Sequence, residues 1–429
     1  MFKAGFARVD VTPPFGTPLT GYFALRTSDG ILDPIELNAV AIQKDDNIAL
    51  IITGDFMYIT EKTATPIREL ISKETGLPIE NILTQALHQH TTTSIDLSAI
   101  DADEAYLSVL KRKYCDVARM AIDDLKDATI SVAEEETATP ISFVRRYRMK
   151  DGSARTNPGF LNPDILHPLG ESDNTVRLVK FSRKDAKDIA LVAFQTHPDV
   201  IGGNKFSADW PGFTRRITEQ TLDNVNCILI NGCQGDTNHL DFSKPGMETH
   251  EEKYAHSRFM GQTISDVVVK IWNNTKEVEI DRIFGESVFA YVPAVTEGTE
   301  RVDECKELFD IVGLPENKEK YTMEEIATIR RISRLDNVVI AQKIPVSILT
   351  FGNISIVGYG GEAFTEYADV LRKANPNKFI LTMMNANGAQ GYFPSASAYE
   401  EGGYEACSSN FRPVVAQTLQ NAALELLKK

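Results

Sequence analysis

Polar residues of chemically useful types follow almost every predicted strand of this sequence. They are His88, His90, His197, Asp236 at the end of a Gly-rich turn, Glu362 and Tyr392. In α/β proteins, ligand sites form outside the carboxyl ends of the strands, so we expect these loops to converge on one place.

Histidines and a carboxylate are the ligands of a catalytic zinc site. Neutral imidazoles and one carboxylate bind the ion, leave a position open for water, and lower the pKa of that water toward 7. His88 and His90 strengthen this interpretation, because alternate residues of an extended segment point to the same side. A single histidine such as His197 is also typical of an ordinary packed, hydrogen-bonded side chain. The residues alone therefore leave both interpretations open.

The elements that must position these residues alternate short apolar runs with amphipathic stretches. This pattern predicts an α/β, or mixed α+β, fold with a central mixed sheet flanked by helices. The predicted strands cover 47–53, 81–87, 188–196, 226–231, 354–358 and 378–384, and the clearest predicted helices cover 61–75 and 250–273. The sequence has no repeat and no Gly/Ser linker, so we expect one large catalytic domain over residues 1–429.

One segment, residues 299–336, has the pattern of a helical insertion. A first helix is broken by Gly313 and Pro315, and Thr322 with Glu325 forms the capping box of a second. Such a helix pair either covers a site as a lid or forms a solvent-exposed excursion.

Composition excludes several classes of partner. Among 429 residues, 45 are Lys or Arg and 60 are Asp or Glu, which gives a net charge of −15. A field of that sign repels nucleic acid and anionic lipid surfaces, so we expect a small-molecule substrate. The N-terminus has no signal-peptide pattern, no apolar run is long enough to span a membrane, and the five scattered cysteines contain no CxxC. We therefore expect a cytoplasmic protein, while its oligomeric state stays open.

Several ordered motifs carry a resemblance to a known family. They are residues 4–13 with 19–22, 87–91, 196–198 with 207–212, 361–365, and the tyrosine-rich end at 392, 399 and 404–406. With these motifs the chain resembles the N-terminal catalytic region of the neutral/alkaline, non-lysosomal ceramidases over nearly its whole length. The resemblance implies a zinc-dependent hydrolase of amide bonds.

Carried over residue by residue, the resemblance implies one zinc ion bound by His88, His197, Glu362 and Tyr392. Tyrosine is an uncommon zinc ligand, so only the resemblance proposes Tyr392. It also implies that His90 lies beside the metal, where it binds a substrate carbonyl or shuttles a proton.

The resemblance further implies that Tyr404 donates to the oxyanion that develops during hydrolysis. Where the family carries a serine proposed to act in catalysis, this chain has Asn238, so a zinc-activated water is the expected nucleophile. Asp236 in the same loop is expected to orient it, and both Asp236 and Asn238 are candidate substrate-binding residues. The family's C-terminal β-sandwich domain has no counterpart in this sequence, which favours a smaller soluble substrate over ceramide.

Arg146 is a candidate specificity residue. It lies in a basic run before the Asp151-Gly152 turn, a pattern typical of a β-hairpin. Arginines in a hairpin usually form a solvated face, but in so acidic a protein they could bind an anionic group of the substrate.

Three other functions stay open from the sequence. A zinc-dependent esterase would use the same route on an O-acylated substrate. A zinc-dependent lyase or isomerase would need a further base, and no residue of the sequence stands out for that role. A binding protein without catalysis would have no need for such a costly polar cluster.

Overall fold

Two β-sheets packed face to face form the centre of the protein, and helices cover their outer faces. The structure, a computed structural model, describes residues 1–95, 104–317, 320–335 and 339–429. The prediction of a mixed α/β fold with a central mixed sheet is confirmed.

Within the described residues the larger sheet has the order β16-β14-β13-β8-β1-β5-β6-β7, and the smaller has the order β19-β20-β21-β23. The strands are β1 Phe2–Asp10, β2 Pro18–Leu19, β3 Arg26–Thr27, β4 Gly30–Ile31, β5 Glu36–Lys44, β6 Asn47–Gly54, β7 Ile82–Ala86, β8 Lys126–Glu136, β9 Phe143–Val144, β10 Arg146–Met149, β11 Ala154–Thr156, β12 Ile165–Pro168, β13 Thr175–Arg183, β14 Asp188–Phe194, β15 Lys205–Phe206, β16 Val225–Asn231, β17 Thr237–Asn238, β18 Lys276–Glu277, β19 Ile283–Pro293, β20 Ala341–Phe351, β21 Ile354–Tyr359, β22 Glu362–Ala363, β23 Phe379–Met383 and β24 Tyr392–Phe393. The α-helices are α1 Glu61–Thr75, α2 Glu104–Asp123, α3 Asp209–Thr221, α4 His250–Ile271, α5 Val302–Leu308, α6 Met323–Ile332, α7 Thr365–Ala374, α8 Ala396–Glu401, α9 Tyr404–Ser408 and α10 Val415–Leu427.

The near-continuous apolar strands are explained by burial on both faces. In β6, Ile51 faces the core between the two sheets, whereas Leu50 and Ile52 pack against the layer of α1 and α2. On the small sheet, Ile356 faces the same inner core and Val357 faces the layer of α7 and α10. A strand covered on both sides loses the alternation of a half-exposed strand.

The predicted elements agree with the structure to within a few residues. The helix predicted at 61–75 is Glu61–Thr75, and it ends at Gly76, whose φ of 76° is the left-handed conformation that glycine adopts without strain. The helix predicted at 250–273 is His250–Ile271, which begins with a capping box between Thr249 and Glu252.

Buried amides join the carboxyl ends of strands from both sheets. The side chain of Gln85, in β7, donates to Asn231 O of β16 at 2.6 Å and to Met384 O just after β23 at 2.8 Å. The side chain of Asn231 in turn donates to Leu87 O at 3.1 Å and to Thr196 O at 3.2 Å. The loops that follow β7, β14, β16 and β23 are therefore held together at their origins.

The helical insertion connects two neighbouring antiparallel strands, β19 and β20, whose ends Pro293 and Ala341 are paired. Its helices α5 and α6 share a small apolar core, and the predicted capping box of Thr322 and Glu325 is present. Residues 318–319 and 336 of the predicted insertion lie outside the described residues. A covering role for the insertion stays a prediction.

Two expectations from composition can be compared with the described residues. None of the helices there is long and apolar enough to cross a membrane. All five cysteines are free thiols, and burial raises the pKa of Cys227 and of Cys233 to about 12. These two thiols are therefore protonated packing groups at neutral pH.

Candidate metal centre

The structure brings three of the predicted metal ligands together at the strand ends. His88 follows β7, His197 follows β14, and Glu362 begins β22 just after β21. The Oε2 atom of Glu362 lies 3.1 Å from Nε2 of His88 and 3.2 Å from Nε2 of His197. Both imidazoles are buried, and the Glu362 side chain is 10% exposed.

The outer nitrogens of both rings are held by backbone carbonyls. His88 Nδ1 lies 2.8 Å from Met57 O, and His197 Nδ1 lies 2.8 Å from Thr237 O. The amide nitrogen of Asn385 also approaches His88 Nδ1, at 3.2 Å, but the closer carbonyl can only accept, so the ring hydrogen lies on Nδ1. Such carbonyls orient metal-ligating histidines in general.

With hydrogens on both Nδ1 atoms, the inward-facing Nε2 atoms are lone-pair acceptors, and so is the carboxylate. Nε2 of His88 and Oε2 of Glu362 are buried and make no hydrogen bond among the described residues. Buried acceptors that face one another without a shared hydrogen repel, whereas a cation between them would satisfy all three. The residues present therefore fit a divalent metal ion.

The protonation states agree with this fit. Burial lowers the pKa of His197, and the neighbouring Arg145 lowers it further, so its imidazole is neutral at pH 7. The centre thus offers a neutral imidazole at His197, which is the form that binds a metal ion.

The backbone at His88 departs from the extended conformation assumed for the His88-x-His90 pair. Its φ is 82°, a left-handed conformation that a residue with a side chain adopts only under strain. The rings of His88 and His90 still approach, with centroids 5.1 Å apart. The two histidines meet because of this turn rather than through strand alternation.

His90 lies at the same centre, but neither of its ring nitrogens makes a hydrogen bond among the described residues. One ligand nitrogen from each of His88, His90 and His197 lies within 4.8 Å of the others, so geometry alone would also allow His90 as a metal ligand. Both ring nitrogens of His90 are buried without a hydrogen-bond partner among the described residues, and burial lowers its pKa well below the ordinary value. Gly21 packs against this ring so closely that an added Cβ would lie 2.7 Å from Cγ.

Tyr392 and Tyr404 stand beside the centre. Tyr392 is the direct parallel partner of Glu362 in the short pair β22–β24, and its ring lies 5.6 Å from that of Tyr404. Burial raises the pKa of both phenols, so both carry their protons in the metal-free protein. Metal binding by Tyr392 and oxyanion binding by Tyr404 stay predictions.

Sequence reasoning considered Arg145 only as part of the basic run and gave Glu405 no role, yet both residues lie directly behind the centre. Arg145 Nε donates to Glu405 Oε1 at 2.7 Å, and Nη2 donates to the Tyr392 hydroxyl at 3.0 Å. Arg145 Nη1 lies 3.2 Å from His197 Nε2. The available signal was their position inside motifs already singled out: Arg145 opens the basic run, and Glu405 follows Tyr404.

Arg146 lies neither on a solvated face of the hairpin nor at a position free to bind an anionic group of the substrate. The predicted hairpin exists, with β10 paired to β11, but the Arg146 side chain is only 2% exposed. Its Nη1 lies 3.1 Å from Glu401 Oε2, and its Nη2 donates to Gly402 O at 2.8 Å. These donors bind Glu401 and Gly402 at the C-terminal end of α8, which leaves Arg146 poorly placed for a substrate anion.

Asp236 and Asn238 hold their surroundings in place. Asp236 Oδ1 accepts from both the backbone N and the hydroxyl of Thr365 at 2.9 Å, at the start of α7, and burial raises its pKa to about 6. Asn238 donates to Asn157 Oδ1 at 2.8 Å and accepts from Leu240 N at 2.9 Å. Substrate contact by either residue stays a prediction.

The chain thus combines a two-sheet α/β fold with a buried His–Glu centre at the strand ends, and solved structures share that fold. The neutral ceramidase from Pseudomonas aeruginosa superposes with a TM-score of 0.74 at 15% sequence identity, covering 100% of this chain and 74% of the other. A structure described as ceramidase complexed with C2 gives 0.75 at 14% identity, covering 99% and 74%. No protein-family model and no curated protein matches the chain. The resemblance drawn from the motifs is therefore confirmed at the level of the fold, which is that of the neutral ceramidases.

Proposed function

We propose that this protein is a zinc-dependent hydrolase that cleaves the amide bond of a small N-acylated substrate. The observation that carries the proposal is that Nε2 of His88 and Oε2 of Glu362 are buried acceptors without a donor, 3.1 Å apart, while Nε2 of His197 lies 3.2 Å from the same oxygen. This set lies at the strand ends of a fold shared with neutral ceramidases, which supports an amide as the scissile bond.

Four residues would hold the ion: His88, His197 and Glu362, with Tyr392 as the fourth ligand beside them. When bound, zinc lowers the pKa of a coordinated water and supplies the nucleophile at neutral pH. Arg145, which donates to the Tyr392 hydroxyl at 3.0 Å, favours transfer of the phenolic proton away from that oxygen.

His90 is suited to move the proton. It is neutral because burial lowers its pKa, and its two ring nitrogens have no competing partner among the described residues. A neutral imidazole accepts a proton at one ring nitrogen during attack and returns it to the leaving amine.

Tyr404 is suited to stabilise the oxygen of the cleaved carbonyl. Burial raises the pKa of its phenol, so its hydroxyl keeps the hydrogen that it must donate. Removal of one such donor typically costs about 3 kcal/mol of transition-state stabilisation. An ester would react by the same steps, so amide and ester substrates belong in one screen.

The test is metal content together with hydrolysis on the purified full chain. Wild type is compared with His88→Ala and Glu362→Ala, and with His167→Ala as a control, since His167 is an exposed histidine outside the centre. We expect about one zinc per chain in wild type and in the control, and loss of zinc in both centre variants.

Hydrolysis of N-acyl amino acids, a short-chain ceramide and a p-nitrophenyl ester is then measured on the same four proteins. Cleavage of an amide that disappears together with zinc supports the proposal. A wild-type protein that binds no zinc after reconstitution, or that retains hydrolysis without it, contradicts the proposed mechanism.

A further inference from the structure

The helical insertion places an arginine without a counter-charge near the candidate centre. Arg330, on α6, donates from Nη2 to Phe23 O at 2.7 Å. Its guanidinium carbon lies 5.0 Å from the centroid of the Phe23 ring and 4.8 Å from that of Phe309. The cation is therefore held between two aromatic rings, in the N-terminal loop and in the insertion.

The Arg330 guanidinium lacks both a full set of hydrogen-bond acceptors and a carboxylate partner. Its Nε atom is buried and has no hydrogen-bond acceptor, and no carboxylate lies within 4.0 Å among the described residues. Burial and the neighbouring Arg334 also lower the pKa of Arg330, and Tyr404 and Asp310 offset them only in part. A charge in such a place is costly unless a counter-charge is present.

More deeply buried arginines of the chain are paired with a carboxylate or with several backbone carbonyls. Arg145 pairs with Glu405 at 2.7 Å, and Arg215 pairs with Asp55 at 2.6 Å. Arg68 has no such carboxylate, but its Nε and Nη2 donate to Ile82 O at 2.9 Å and Ile79 O at 2.7 Å. An unpaired arginine is the more unusual because acidic residues outnumber basic ones, 60 to 45.

Aromatic contacts connect Arg330 with the centre. The Phe23 ring lies 6.0 Å from that of Tyr404, which lies 5.6 Å from that of Tyr392. Arg330 is also close enough to Tyr404 for the two groups to interact electrostatically. A substrate with its scissile bond at the metal centre would therefore extend toward this arginine.

Arg26 adds a second positive charge on the same side. It donates from Nη2 to His90 O at 2.6 Å, its guanidinium lies 4.2 Å from the centroid of the Tyr22 ring, and Tyr22 packs on His90 at 5.3 Å. Like Arg330, Arg26 has a buried Nε without an acceptor and no carboxylate within 4.0 Å among the described residues. Arg26 therefore brings a positive charge next to the backbone of His90.

We propose that Arg330 is a specificity residue that binds a carboxylate of the substrate, so that the preferred substrate is an N-acylated amino acid. This inference rests on the proposed hydrolase function. Arginine suits the task because its planar fork matches a carboxylate and its charge is permanent. The carboxylate would supply the counter-charge that Arg330 lacks.

The test uses two substrates that differ only in charge, N-benzoylglycine and N-benzoylglycinamide, on the zinc-loaded full chain. For Arg330→Gln we expect KM for benzoylglycine to rise roughly tenfold to a hundredfold, with KM for the amide unchanged and kcat within a few-fold. Arg330→Lys keeps the charge and should recover part of the loss. Arg334→Gln is the matched control, since Arg334 is an exposed neighbour whose guanidinium also lies near Phe309, at 5.8 Å.

The alternative is that Arg330 only anchors the insertion through Phe23 O. In that case Arg330→Gln raises KM for both substrates equally or for neither, and the proposal is overturned. A Tm measurement on each variant identifies any general loss of folding, and Arg330→Lys then provides the kinetic comparison.

A wild-type protein that cleaves neither substrate would count against the proposed function and not by itself against the carboxylate site. Binding of the same two compounds is then measured by calorimetry. A preference for benzoylglycine that depends on Arg330 supports the site, and equal binding in wild type and Arg330→Gln overturns it.

Discussion

Two buried polar clusters lie side by side in this protein, and they differ in how their hydrogen bonds are balanced. The acceptor cluster consists of His88, His197 and Glu362, whose inward atoms are all acceptors. The arginine cluster consists of Arg145 and Glu405, in which the donor Nε meets the acceptor Oε1 at 2.7 Å. Arg145 reaches the acceptor cluster only at His197, with Nη1 3.2 Å from Nε2, and leaves Nε2 of His88 and Oε2 of Glu362 without a donor.

The difference separates the candidate metal centre from a structural ion pair. Burial alone does not distinguish the clusters, because the side chains of both are at most 10% exposed. The balance of donors and acceptors does, because Glu405 pairs directly with Arg145, whereas His88 Nε2 and Glu362 Oε2 face each other without a donor. The same criterion separates the paired Arg146 from the unpaired Arg330.

The largest effect is expected for Glu405→Gln in the arginine cluster. The change leaves Arg145 and Arg146 without their shared buried carboxylate, so the free energy of unfolding should fall by roughly 3–5 kcal/mol, measured by urea unfolding. Glu401→Gln is the control, because Glu401 also pairs with Arg146 but is 21% exposed, and it should cost less than about 1 kcal/mol. Equal losses in the two variants would mean that burial of the pair is not what matters.

The opposite result is expected for Glu362→Gln in the acceptor cluster. Without metal the new amide can donate to a facing Nε2 atom, so stability should hold or rise by up to about 1 kcal/mol. In wild type, zinc at a hundred times its dissociation constant should add about 2.7 kcal/mol, and the variant should lose this increment.

Thermal unfolding with and without zinc measures both effects of Glu362→Gln. Glu366→Gln is the control, an exposed carboxylate on α7 whose loss should leave the zinc increment intact. A large destabilisation of the metal-free Glu362→Gln protein would show that the acceptor cluster is balanced without an ion.

A smaller effect is expected at Asp236, a buried carboxylate that belongs to neither cluster. Burial raises its pKa to about 6, whereas the unfolded chain has the ordinary value of about 3.9. Between these values the folded state holds a proton that the unfolded state has lost. Stability from this group is therefore full below about pH 4 and is lost as pH rises through about 6, by an amount on the order of 1–3 kcal/mol.

Asp236→Asn imitates the protonated carboxyl and keeps an oxygen for the two Thr365 hydrogen bonds. The variant should flatten this part of the pH dependence of the unfolding free energy and be at least as stable as wild type at pH 8. An unchanged slope between pH 4 and 6 would assign the titration to another group.

Local patterns predicted most of the fold. Strands buried on both faces give continuous apolar runs, and caps such as Gly76 and Thr322 are read directly from residue type. The convergence of His88, His197 and Glu362 followed from their position after strands. The pairing of two sheets face to face could not be predicted, because it depends on contacts between residues far apart in sequence, such as Gln85 with Asn231.

The charge pairs were the least predictable part of the site. Arg146 belongs to a basic run that resembles a solvated face, yet its partners Glu401 and Glu405 come about 250 residues later, and nothing local shows that pairing. The left-handed backbone of His88 was equally hidden, because only a few per cent of residues other than glycine adopt it and no local pattern marks which ones do. Residue type and the motif resemblance identified the candidate ligands, while long-range packing determined which charges remained available.

The connection between β19 and β20 has a consequence for how this protein can change over evolutionary time. Because Pro293 and Ala341 are direct partners, the chain leaves the sheet and returns to it at one point. Segments of very different length can therefore be exchanged there without altering the register of the strands or the positions of the candidate metal ligands. Under the proposed function, substrate preference can diversify through this exchange while the strand-end centre is inherited intact.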